Sequence, residues 1–273
     1  MFKYSKIVLN KYSSHFSKHD FTQPALFTLL AVKIYTRSTY RQITDLLELS
    51  DTIQKYLHLK KIPHYTTLQK FFQRLPTSIL QELNKQILLN HEINGEIIAL
   101  DGSGFTSDNA DKYYSKIRDK ERKNFTKCHI AIDVDTRLIL YSQALKGPKH
   151  DIKFAIVSIR SLNKYDVDYI IADKAYDTNK IRTCINEEIK ASDQIPLKSN
   201  FRHGWYRRLS IQTFKKEIYS RRNNVESVFS VIKRKYSGVN KSKSTRLQNK
   251  ETRLKTLVYN IALAIKISKR IST

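Results

Sequence analysis

The sequence predicts an α/β domain built on a mixed sheet flanked by helices, preceded by a small all-helical N-terminal domain. Three observations predict it. Apolar residues keep a helical period up to about residue 91, and from Glu96 the period changes to two. Beyond that point β-rich and helical runs follow in the order βββαβαβαα, the pattern of a mixed sheet with helices on both faces. The 273 residues are 40% hydrophobic with only 6 Gly and 5 Pro, which supplies real cores and excludes collagen-like, disulfide-scaffold and wholly disordered classes.

The helical domain is expected over residues 1–92, with helices at 24–36 (PALFTLLAVKIYT), 39–49, 50–59, 66–75 and 78–90. Pro24 suits a first turn, Ser50 and Asp51 are capping signals, and Pro63 separates two helices. The second domain is expected over residues 96–273. Its strands are IIAL at 97–100, then 129–134 and 138–144 around an Asp-Thr-Arg turn, then the apolar run at 169–172 and a short strand at 195–197. Helices are expected at 151–162, 179–189, 213–236 and 253–267, the last with Leu254, Val258, Ile261 and Ile265 on one face.

Fifty basic against 25 acidic residues give +25, a charge that opposes compaction unless a polyanion neutralises it. Residues 1–95 carry 13 basic and 6 acidic side chains, residues 96–197 carry 17 and 16, and residues 198–273 carry 20 and 3. A centre that keeps its carboxylates between basic flanks is what metal chemistry on a held phosphate chain requires. A Lys-heavy proteome would account for the first segment's excess but hardly for the last one's. Cys128 and Cys184 fit neither a disulfide framework nor a CxxC site and read as small buried hydrophobes in a reducing compartment. No signal-peptide core and no run of 18 apolar residues is present, which points to a soluble cytoplasmic protein with no membrane partner.

Asp101 follows IIAL and Asp173 follows YIIA, positions from which a carboxylate emerges at the sheet's carboxyl edge. Either one alone reads first as a turn residue or helix cap. A third acid, Glu226, stands alone in the cationic helix IYSRRNNVESVFSVIKRKY. On a continuous helix Tyr219, Arg222, Glu226 and Lys233 share one polar stripe beside the apolar Val225, Val228, Phe229 and Ile232. The alternative is an ordinary Arg222–Glu226 surface pair. Three converging carboxylates can bind two hard divalent ions that clamp an in-line phosphoryl transfer, with Lys and Arg holding phosphates.

With ALDGSGF, GPKHD, IIADKAYD and YSRRNNVESVFSVIK in order along the chain, residues 96–265 resemble the catalytic domain of prokaryotic insertion-sequence transposases of the DDE type, in the branch with a Tyr-x2-Arg-x3-Glu-x6-Lys signature. The resemblance implies a ribonuclease-H-like fold, with Asp101, Asp173 and Glu226 as catalytic residues and metal ligands for two Mg2+ or Mn2+ ions. It also implies cleavage at element ends, joining of the freed 3′-hydroxyl to target DNA, and Tyr219, Arg222 and Lys233 on phosphates near the cleaved end. Implied partners are double-stranded DNA, as element ends and target, and a second copy in a homodimeric synaptic complex, with no small-molecule substrate. The setting is the nucleoid of a prokaryotic cytoplasm. Residues between Asp173 and Glu226 leave no room for the large β-insertion of some relatives, so their hairpin-forming route is not carried over.

The N-terminal helices resemble the domain preceding that core. TYRQITDLLEL and IPHYTTLQKFFQRL suggest a helix-turn-helix, its recognition helix at 66–74 offering Tyr65, Thr67, Gln69, Lys70 and Arg74 to DNA. A three-helix packing domain that reads no bases is the other reading. Basic aromatic stretches at 112–127 and 201–208 read as loops, the first a backbone track or a solvated loop. In the second, Trp205, Arg207 and Arg208 suit phosphates and stacked bases. His150 and Asp151 read as a helix start rather than a metal site. Two further function classes stay open: another nuclease of this fold, and a non-catalytic DNA-binding relic of a transposase.

Overall fold

Six helices open the chain: α1 (Phe2–Val8), α2 (Gln23–Tyr35), α3 (Tyr40–Glu48), α4 (Asp51–Tyr56), α5 (Tyr65–Arg74) and α6 (Thr77–Leu88). The computed structural model describes residues 1–91, 93, 95–107, 125–147, 152–199 and 204–271. Helix α2 starts where Thr22 accepts the Ala25 N–H and Pro24 takes the first turn. Its side chains from Pro24 through Ala31, and Ile34, are buried, so it is buried on every face and forms the centre of its unit. The Thr39–Gln42 capping box starts α3. Helix α5 packs Leu68, Phe71 and Phe72 inward against α2 and α3 and leaves Gln69, Lys70 and Arg74 exposed. Residues 57–64 before it exceed the three or four residues of a helix-turn-helix turn, so α5 offers a basic face without that motif's tight corner.

A meander of β1 (Ile97–Ser107), β2 (Phe125–Asp133) and β3 (Ile139–Lys146) begins the second unit. It continues through α7 (Ile152–Arg160), β4 (Tyr169–Ile171), α8 (Asn179–Thr183) with a π turn at Cys184–Ile189, and β5 (Ser192–Gln194). Then come α9 (Trp205–Thr213), α10 (Lys216–Ser220), α11 (Asn223–Tyr236), β6 (Val239–Asn240) and α12 (Thr245–Ile271). The sheet order is β3-β2-β1-β4-β5, with β4 parallel to β1, β5 parallel to β4, and β6 added parallel at the end of β1. This is the ribonuclease-H-like sheet that the resemblance implies. Ile98, Ala99, Leu100, Ile130, Ile132, Ile170 and Ile171 are fully buried, the unbroken apolar lettering of strands covered on both faces. Helix α11 buries Val225, Val228, Phe229 and Ile232.

Three expectations are corrected. Strand β1 runs to Ser107 rather than stopping at Leu100, because β2 pairs it across Gly102 and Gly104. The short strand lies at Ser192–Gln194, not 195–197, because polar side chains rather than apolar ones are buried there. Residues 213–236 form three segments rather than one helix. The Gln194 side chain occupies the first break, donating to the Thr213 carbonyl at 3.1 Å and accepting from Lys215 N–H at 2.7 Å. At the second, residues 221–222 turn through short backbone bonds to Ile218 and Tyr219.

The unit boundaries also differ from a cut after residue 92. One unit comprises Met1–Asn90, Lys235–Ser237 and Leu254–Thr273; the other comprises His91–Arg234 and Gly238–Arg253. Leu254, Leu257 and Val258 are buried and Asn260 donates to Asn84 at 2.7 Å within the first unit, whereas Ile265 is 51% exposed. An amphipathic stripe in sequence shows that a helix buries a face, not which unit receives it. Residues 108–124, 148–151 and 200–203 lie outside the described residues, and with them most of the 112–127 stretch, His150 and Asp151. Cys128 and Cys184 are free and buried, and burial pushes their thiols up to about 12 and about 11. No helix among the described residues is long and apolar enough to cross a membrane.

Candidate active site

Parallel pairing aligns Ala99 of β1 with Ile171 of β4. Asp101 and Asp173 each lie two residues beyond that pair, Asp101 still within β1 and Asp173 just past the end of β4, so both stand at the same edge of adjacent strands, whose usual separation is about 4.8 Å. Asp101 is inside β1, opposite Ile130 of β2, rather than at a strand end. What ends there is its parallel neighbour, so Asp101 stands level with β4's carboxyl end, the edge at which open α/β sheets hold ligands. Asp101 Oδ1 accepts the Gly102 N–H at 2.7 Å, and Asp173 Oδ1 accepts the Ala175 N–H at 2.8 Å, capping the 3-10 turn Lys174–Tyr176.

Glu226 sits in the first turn of α11, where a negative charge suits the helix dipole, and accepts from Arg222 Nη2. Burial pulls the Arg222 guanidinium down, but Glu226, then Tyr219 and Asp101, outweigh it and raise it above its ordinary value. Lys233 donates to Ser103 Oγ at 2.8 Å; burial lowers its ammonium while Cys128 and Asp101 oppose that shift. Asp101, Arg222, Glu226 and Lys233 are thereby brought into one electrostatic neighbourhood. Tyr219 belongs to α10, its ring 5.3 Å from that of Phe214, so the one-helix stripe is a helix-turn-helix-segment arrangement instead. The turn is further held by Arg221 on Asp135.

Trp205 opens α9 and is 74% exposed, and Arg208 beside it is exposed; both lie on a helix rather than the expected loop. Arg207 points the other way. Its Nε donates to Asp177 Oδ1 at 2.9 Å and its Nη2 to the Asp177 carbonyl at 2.9 Å, which removes it from the surface that Arg208 presents.

Sequence reasoning missed the group that receives Arg207. Fully buried Arg182 donates Nε to Asp177 Oδ1 at 2.9 Å, Nη2 to the Ile195 carbonyl at 2.8 Å, and Nη1 to Asp193 and Ser210. Lys198 N–H donates to Asp177 Oδ2 and Asn186 to Asp193 Oδ1. This network fixes the chain that leaves Asp173, and its only trace in sequence is Asp177 beside the ADKAY run.

Among the described residues, no three His, Cys, Asp or Glu side chains converge as a metal-holding group. The two aspartates have the hard oxygen chemistry that divalent cations prefer, while Glu226 is turned onto Arg222.

A family described as "Transposase DDE domain" matches residues 93–261. The chain belongs to that family. The transposase DDE domain thus accounts for the sheet, its aspartates and α11, and reaches into α12. No curated protein matches the chain significantly. Among solved structures it is similar to a piggyBac transposase synaptic complex with hairpin DNA, at 10% identity and TM-score 0.47, covering 90% of this chain and 67% of that one. It is also similar to a simian T-cell lymphotropic virus intasome with a PP2A regulatory subunit, at 9% identity and TM-score 0.36, covering 85% and 65%. A Mos1 transposase paired-end complex aligns at 15% identity and TM-score 0.27, covering 89% and 77%. The chain spans about two thirds of the first two of these structures.

Proposed function

We propose that this transposase DDE protein is the DNA transposase of a prokaryotic insertion sequence, acting on terminal inverted repeats as a homodimer that pairs two ends. The observation that carries this reading is Asp101 and Asp173 at one edge of adjacent parallel strands, with Lys233 held on Ser103 two residues from Asp101 and Arg222 on Glu226. Asp101, Asp173 and Glu226 are the residues that would hold two Mg2+ or Mn2+ ions, Glu226 joining the set by exchanging its Arg222 partner. Bound there, the ions supply Lewis-acid stabilisation of the attacking and leaving oxygens.

The chain's own groups prepare the phosphate. Lys233 and Arg222 hold nonbridging oxygens next to the scissile bond and neutralise the charge that develops on them. Tyr219 adds a hydroxyl contact, and Arg208 and Trp205 engage DNA further along the strand. Lys70 and Arg74 on α5 supply contacts to the repeat. In the first step a water oxygen attacks phosphorus and the P–O3′ bond breaks, leaving a 3′-hydroxyl on the element end. In the second that hydroxyl attacks a target phosphodiester, so one P–O bond forms as another breaks.

The test is cleavage and strand transfer in Mg2+ or Mn2+ on a duplex taken from the gene's own flanks, with Asp173→Asn and Glu226→Gln alongside. Both variants are expected to retain end binding and lose cleavage. Cleavage retained by Glu226→Gln removes that residue from the site. Metal-independent binding without cleavage by the unaltered protein, on verified ends, identifies a DNA-binding relic instead.

A further inference from the structure

The segment DGSGF contributes more to the site than Asp101. On a strand, alternate residues share a face, so Asp101, Ser103 and Phe105 of β1 project together. Lys233 meets Ser103 and Phe105 directly and Asp101 through its field. Its ammonium donates to Ser103 Oγ at 2.8 Å, lies 5.5 Å from the centroid of the buried Phe105 ring, and feels the Asp101 carboxylate. The intervening positions carry no side chain, and at Gly104 there is little room for one, since a Cβ would stand 3.3 Å from the Phe125 ring. The segment therefore presents polar and aromatic groups toward α11, while its other face is exposed at Gly104 and Thr106. A lysine has four rotatable side-chain bonds and loses most of that freedom when its ammonium is held at one place. A hydroxyl acceptor, a ring face and a carboxylate in a row are what would hold it.

We infer that Asp101, Ser103 and Phe105 form a cradle that fixes the Lys233 ammonium beside the first carboxylate, which makes Ser103 and Phe105 positioning residues. The inference deepens the proposed function, because it rests on Lys233 as the group that takes the scissile phosphate. Ser103 and Phe105 touch no substrate; they act by delivering Lys233 already oriented, so that phosphate binding orders one side chain fewer.

Two measurements on the full chain test this. The first uses no DNA: lysines are acylated with an N-hydroxysuccinimide ester and their rates mapped by mass spectrometry. Lys233 is expected to react several-fold more slowly than exposed Lys235. Ser103→Ala and Phe105→Leu each bring the Lys233 rate toward that of Lys235, and Ser103→Thr, which keeps the hydroxyl, does not. An unchanged Lys233 rate in both Ser103→Ala and Phe105→Leu overturns the cradle, with the other lysines reporting whether each variant has kept its fold.

The second measures affinity for the end duplex across salt concentrations. Loss of one phosphate contact lowers the log–log salt slope by about 0.9. Lys233→Gln and Ser103→Ala are each expected to show that loss, and the double variant no more than either alone. Additive losses mean that Ser103 acts independently of Lys233 and overturn the inference. Binding of Lys233→Gln equal to that of the unaltered protein overturns the phosphate role of Lys233, and the acylation rates then judge the cradle by themselves.

Discussion

Arg182 and Arg222 present the same guanidinium to the same kind of carboxylate, in opposite surroundings. Arg182 is wholly buried, and its partners Asp177 and Asp193 are saturated by a second arginine, a backbone N–H, a serine and an asparagine. Arg222 and Glu226 are one helical turn apart, with 21% and 50% of their side chains exposed. Breaking the first leaves charges stranded without water; breaking the second returns them to it. A pair that must exchange partners during a reaction has to be of the second kind, and a pair that holds the chain beside a reacting group has to be of the first.

The largest effect should come from Arg182→Met, which strands Asp177 and Asp193. A loss of about 3–5 kcal/mol is expected, the usual result of removing one partner of a buried pair, read as the change in unfolding free energy from urea titration. A loss below about 1 kcal/mol would mean that water reaches the network and would dissolve the contrast.

Next is the acid limb of stability. Burial alone would raise the Asp177 carboxyl, but Lys198 N–H, Arg207 and Arg182 outweigh it and hold it below the usual carboxylate range. A folded value below the unfolded one, about 3.9, means that its contribution is fully present above that pH and is lost as pH falls through the folded value. Asp177→Asn should therefore be less stable at neutral pH and lose less on acidification from pH 5 to pH 2. Parallel stability profiles for the two proteins would show that Asp177 is not the titrating group.

The smallest effect on stability belongs to Arg222→Gln, within about 0.5 kcal/mol. Its affinity for the end duplex should nevertheless fall about tenfold, the scale of one lost charge-assisted hydrogen bond. Equal binding would make Arg222 and Glu226 an ordinary surface pair.

The sequence reveals what depends on apolar period and spacing: the helical opening, the meander, the buried fourth strand and the order of the three acids. It conceals what depends on buried polar groups. Strand β5 is spelled Ser-Asp-Gln, and Asp193 and Gln194 are buried because Arg182 and the helix break at Thr213 supply their partners. No apolar pattern marks such a strand, so the neighbouring Ile195–Pro196–Leu197 attracts the assignment instead. The break at residues 221–222 carries neither Pro nor Gly, and helical spacing alone therefore runs Tyr219 and Glu226 together on one cylinder. Arg207 and Arg208 are adjacent letters whose side chains part company because only one of them meets Asp177.

The helical unit is drawn from three stretches of chain, of which Leu254–Thr273 is the last. On the ribosome, residues 1–90 are complete long before residue 254 is added, an interval on the order of ten seconds at 5–20 residues per second. The central helix Gln23–Tyr35 must spend that interval without the last of its unit's segments, while every residue of the sheet is translated. The helical unit's opening segment thus waits for its last one, and a chain cut before residue 254 carries every strand of the sheet beside a helical unit that lacks its closing segment.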